Sequence, residues 1–175
     1  MKQRQMTLQA MIEEIEAIQP VLRFGRGRLA EFKEVLDAME MDLATITTQV
    51  LWQKALNSLI ALKGNLSATQ KVVNVWQEKV RIFRGALNNL TQQFSLPEGT
   101  CDQDVLRARN GLAELTSEIL HQREILAVQT VSLDEKMQLL EKQRSRVHST
   151  LRAVRAPRLK NYMYSHGKKI LEASL

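Results

Sequence analysis

The sequence predicts an all-α protein, an elongated antiparallel helical bundle or long coiled-coil hairpin with a short hinged helix at its N-terminus. Composition is the first ground. Leu, Gln, Glu, Arg, Lys, Met and Ala supply most of the 175 residues, and with Gly at 7 and Pro at 3 there are few places for turns. Those abundant residues lose least conformational freedom on entering a helix. The second ground is the stretch Trp52 to Phe94. Trp52, Ala55, Leu59, Leu62, Leu66, Thr69, Val73, Trp76, Val80, Phe83, Leu87, Leu90 and Phe94 follow one another there in steps of three and four, with only Thr69 polar. Such a period keeps an apolar seam turned towards a neighbouring helix. The third is a column standing seven apart: Val105, Leu112, Ile119, Leu126, Leu133, Leu140, Val147 and Val154. A chain of this length holds one core, so residues 1–175 are read as a single helical domain.

In chain order, Leu8, Met11, Ile12, Ile15 and Ile18 form the apolar face of a first helix, predicted over 5–19, with Glu13, Glu14 and Glu16 on its solvated side. Pro20, Gly25 and Gly27 then predict a hinge, because proline removes a backbone donor and glycine weakens a helix. Leu29, Phe32, Leu36, Met39, Leu43, Ile46 and Val50 predict a helix over 28–63, with a phase slip at Val50 to Trp52 that reads as a rotation, overwinding or bend. Gly64 and the Ser67/Gln70 capping signature allow a new start, whereas the unbroken column through Leu62 and Leu66 favours a helix over 66–94 continuous with the preceding one. Residues 95–100 read as a loop, and Thr100 with Gln103 as a capping box. A long helix follows over 101–155, packing antiparallel to the one before. Its companion column (Ala108, Leu115, Gln122, Gln129, Lys136, Gln143, Thr150) turns polar after Leu115. Pro157 closes that helix, and a last one is predicted over 158–172.

The net charge of +6 is unevenly placed. From Lys142 onwards nine Lys/Arg face a single acid, Glu172, so the tail carries +8 and the rest of the chain −2. A lone cysteine, Cys101, offers no internal disulfide, and the N-terminus reaches Glu13 and Glu14 without an apolar leader. No uncharged run approaches the roughly 18 residues of a spanning helix. The expected location is therefore cytoplasmic.

Catalytic chemistry has no foothold in the pattern. His121, His148 and His166 are far apart, none pairs with Cys101 at metal-ligand spacing, and no phosphate loop or nucleophile motif occurs. No catalytic residue, metal or cofactor is expected, and no small-molecule substrate. Arg23 to Arg28, with its two glycines, suits a solubilising hinge better than a phosphate grip.

The expected function is that of a non-enzymatic structural or adaptor subunit, a scaffold acting through coiled-coil protein binding in a homo- or hetero-oligomer. The partner-binding candidates are Val50, Trp52, Leu59, Trp76, Phe83, Leu126, Leu133 and Leu140, because the half-polar returning column leaves the seam of residues 52–94 under-covered. An alternative is binding of nucleic acid or an anionic membrane through the basic tail, Arg144, Arg152, Arg155, Arg158, Lys160, Lys168 and Lys169. A further alternative is a subunit of a pore-forming or secretion assembly, for which Leu43 to Leu62, bearing only Lys54 as a charge, is the candidate inserting segment.

Overall fold

The computed structural model describes the backbone of residues 7–93 and 102–172, and the side chains of these as far as residue 149 except at 41, 93 and 102. Three helices account for them: α1 (Leu8–Ala44), α2 (Gln49–Gln93) and α3 (Asp102–Glu172). Thr7 caps α1, its side chain accepting a hydrogen bond from the Ala10 amide.

The helix boundaries bear on the predicted ones in four places, three of them differences. First, α1 runs unbroken through Pro20, Gly25 and Gly27. An interior proline costs a helix about 3 kcal/mol. Ile15, Ile18 and Leu22, all buried on either side of it, offset that, since each such side chain contributes roughly 1.5–3 kcal/mol. Second, the phase slip is a full reversal of the chain. α1 ends at Ala44, where the Thr45 amide and hydroxyl both donate to the Asp42 carbonyl. Thr48 opens α2, its hydroxyl accepting from the Leu51 amide at 3.3 Å and its carbonyl from the Trp52 amide at 3.0 Å. The predicted helix over 28–63 is thus divided by a turn at residues 45–48. Third, as the unbroken column through Leu62 and Leu66 favours, α2 passes through Gly64 and Ser67 without a break, and the Thr69 hydroxyl donates to the Asn65 carbonyl. Fourth, the backbone of α3 remains helical through Pro157 to Glu172. The 95–100 loop, the Thr100 cap and Phe94 lie outside the described residues.

α3 is the hub of the bundle. It runs parallel to α1, as the pairs Gln19–Glu114, Arg26–Glu118 and Glu40–Lys136 show. It runs antiparallel to α2, as Arg84–Thr116, Gln77–Arg123 and Lys63–Asp134 show. Each of these interhelical polar contacts has one partner on α3, while α1 and α2 approach one another far less closely. Leu22, Leu29, Leu36 and Leu43 of α1, Leu59, Leu66, Val73 and Leu87 of α2, and Leu112, Ile119, Leu126, Leu133 and Leu140 of α3 form one continuous core. The seam from Trp52 is buried as its spacing predicts, with Ala55, Trp76 and Leu90 half-buried at its edge.

The polar column of α3 has a different role from the expected one. Gln122 and Gln129 are fully buried and face α1. Their side-chain amides donate to the backbone carbonyls of Leu22, at 2.5 Å, and Leu29, at 2.6 Å. Lys136, one heptad further on, lies 3.8 Å from Glu40. What reads in sequence as a one-sided seam awaiting another protein is the surface on which the chain's own first helix is seated.

Candidate interaction surfaces

The predicted partner-binding residues divide into two groups. Trp52, Leu59, Phe83, Leu126, Leu133 and Leu140 are buried within the chain's own bundle and present no free surface. Trp52 is further tied by its indole N–H, which donates to the Leu140 carbonyl at 2.9 Å, and by the Arg144 guanidinium over its ring. Trp76 is half-buried with the Lys79 ammonium over its ring, and Val50 is exposed at the start of α2. Of the basic tail, Arg144 lies beside Trp52 and bonds Glu141. The side chains of Arg152, Arg155, Arg158, Lys160, Lys168 and Lys169 lie outside the described set, although their backbone is helical.

His121 and His148 are both exposed on α3, and Glu13, Glu14 and Glu16 lie on the solvated face of α1. Glu16 is paired with Arg107. In the arginine-glycine segment, Arg26 forms a two-pronged bond to Glu118. Burial pushes the Glu118 carboxyl up, but hydrogen bonds from Arg26 and Gln122 and the charges of Arg26 and His121 outweigh it and hold the group below the ordinary carboxylate value. The segment therefore fastens α1 to α3. The Leu43 to Leu62 window is split by the 45–48 turn, and none of the described helices is long and apolar enough to cross a membrane.

Exposed apolar side chains occur on all three helices, with Leu106, Leu120, Val128 and Val131 among those of α3, and two sets lie on the outward faces of α1 and α2. On α2, Val72, Val75 and Ile82 are 52%, 58% and 53% exposed. On α1, Phe24 is 69% exposed and is flanked by Val21 and Val35 at nearly half exposure. A signal for the first set was present: Ala61, Ala68, Val75 and Ile82 stand seven apart, a second apolar column behind the one that forms the core. The stronger column beginning at Trp52 masks it.

Comparison with known proteins finds no family model, no curated protein and no solved structure that matches the chain.

Proposed function

We propose that the protein is a non-enzymatic structural or adaptor subunit that works by helix-helix association within a protein complex. The observation that supports this reading most directly is the second apolar column of α2, exposed at Val75 and Ile82 with Val72 beside it, on a helix whose first column already fills the core. Apolar surface arranged at helical spacing along a long helix is suited to receiving another helix. The test is affinity capture from the source cell with the intact chain and with a Val75→Glu, Ile82→Glu variant. The reading requires a partner, identified by mass spectrometry and confirmed with purified components, that the wild type holds and the variant loses. Identical capture by both would sink it.

A second reading is supported by the charge of the tail together with the course of α3. Trp52, at the start of α2, meets Leu140 and Arg144. From Arg144 the helical backbone continues to Glu172, about 42 Å at 1.5 Å per residue. Eight further basic residues other than Arg144 lie between Lys142 and Lys169. Such an extension suits phosphate-bearing ligands, a nucleic acid or an anionic membrane surface. Binding to DNA or to anionic vesicles that falls steeply with salt and disappears on deletion of residues 157–175 is the expected result. Undiminished binding after the deletion removes that terminal segment from consideration.

A further inference from the structure

The outward stripes of α1 and α2 border the same side of the bundle. On α1, Glu16, Gln19, Arg26 and Glu40 reach α3 along one flank of the buried Leu22–Leu29–Leu36 stripe, the last three at heptad-related positions. Val21 and Val35 occupy the opposite flank, with Phe24 next to it, and so turn towards the α2 side. On α2, Lys63, Gln77 and Arg84 mark the flank facing α3. Leu51, Val72 and Ala86 occupy the other flank, backed by Lys54, Ala61, Ala68, Val75 and Ile82. α1 and α2 therefore present a two-helix face on the side of the bundle away from α3.

The two stripes on this face are opposite in charge. The outward positions of α1 hold Glu13, Glu14, Glu31, Glu34 and Asp42 with one base, Arg28, whereas those of α2 hold Lys54, Lys71 and Lys79 with one acid, Glu78. Several of these charges are unused within the chain. Among the described residues Lys54 and Lys71 make no ion pair, nor do Glu34 and Asp42. Like stripes would repel one another, while α1 against α2 joins opposite signs and apolar side chains together.

We propose that the protein forms a two-fold dimer in which the outward stripe of α1 in each copy lies on the outward stripe of α2 in the other. This rests on the helix-association reading and names its partner as a second copy of the chain. A two-fold axis parallel to the bundle brings the faces together in this way and is isologous. It leaves every helix at the level fixed by the shared contacts to α3. Leu22 is level with Gln122 and Gln77 with Arg123, so Phe24 of one copy meets the region of Val75 in the other. Asp42 comes level with Lys54 near the Trp52–Leu140 contact, and Glu31 comes within about one helical turn of Lys71 by the levels of Leu29 with Gln129 and Gln77 with Arg123. The crossing helices run antiparallel, as in a four-helix bundle, with α3 of each copy on the outside.

The test is sedimentation equilibrium of the full chain at low and high salt. The expected mass at low salt is twice the 20.0 kDa of the chain, with dissociation promoted by salt. Phe24→Glu with Val75→Glu, both at exposed positions, should give the mass of one chain with an unchanged helical circular-dichroism spectrum. A charge-swap cycle supplies an independent reading should that variant fold poorly. Glu31→Lys with Asp42→Lys weakens the dimer by about tenfold, Lys54→Glu with Lys71→Glu does the same, and all four together restore it. A wild-type protein that stays at single-chain mass at low salt and high concentration overturns the dimer. In that case a different partner captured through Val75 and Ile82 would leave the helix-association reading standing. A dimer indifferent to both the apolar variant and the charge swaps overturns this surface.

Discussion

Two glycines set how closely α1 approaches α3. A Cβ built at Gly111 would lie 2.6 Å from the Ile15 Cγ2, and one at Gly25 would lie 3.1 Å from the Gln122 side-chain oxygen. Alanine in a helix is ordinarily better than glycine by about 1 kcal/mol, and at Gly111 the contact with Ile15 inverts that preference. Gly111→Ala is expected to lower stability by about 1–3 kcal/mol, the range for overpacking a close-fitting core. Chemical denaturation checks this, and Ile15→Val in the same chain should return part of the loss; a Gly111→Ala protein as stable as the wild type would show that α1 is free to move away. Gly25 leaves room for the Gln122 amide, which bonds Glu118 as well as the Leu22 carbonyl. Replacing Gln122 and Gln129 together by leucine is expected to leave stability within about 1 kcal/mol, because exchanging a buried polar group for an apolar one of similar size is often neutral. The register of α1 on α3 should loosen instead. That would be read as faster amide exchange along α1 at unchanged melting temperature, and unaltered exchange rules out a register role for the pair. In sequence these glutamines stand on a heptad column and look like a flaw in it. Their pairing with backbone carbonyls of another helix depends on an approach that spacing alone does not encode.

The helices were legible as faces more than as segments. Leu59, Leu66, Val73, Leu126 and Leu133 take the buried positions their spacing assigns, because a heptad column reports which side of a helix is covered whatever covers it. Boundaries depend on a balance between a local penalty and distant packing. Pro20 and Pro157 carry strong local signals for a break, yet the helix backbone crosses both. At residues 45–48 a weak signal marks the actual reversal, since Thr48 is a good cap without the acidic or amide residue three places on that completes a capping box. Thr48→Ala should cost about 1 kcal/mol and fray the first turn of α2, measurable as lost amide protection at Leu51 and Trp52. No change in that protection would mean the turn is held by core packing at Leu43 and Trp52 instead. The interaction surface was less legible than the core, since Val75 and Ile82 differ from core positions only in which side of α2 they occupy, and that is settled by where α3 lies.

At the scale of the molecule, acid acts on the fastening between α1 and α3. Glu118 has a folded-state value below its ordinary one of 4.5. Its contribution is therefore complete above that ordinary value and is lost as pH falls through the depressed folded value. Denaturation midpoints followed into mild acid should decline, and Glu118→Gln should make that decline shallower. An acid limb of the same steepness in both proteins would assign the decline to other carboxylates.

The central place of α3 also bears on how the chain is made. Translation delivers α1 and α2 first, and each leaves its leucines with little to cover them until the third helix emerges. The bundle is thus slow to become self-supporting in the order of synthesis, its apolar columns open to chaperones or to a neighbouring nascent chain for most of that time. Ribosome-bound chains halted after residue 95 should remain sensitive to protease and become resistant once α3 has cleared the exit tunnel. Resistance at the earlier point would show that the first two helices close on each other unaided. A bundle built around its third helix is committed to its fold only after that helix has been made, which leaves the interval before it for a second copy to be at hand.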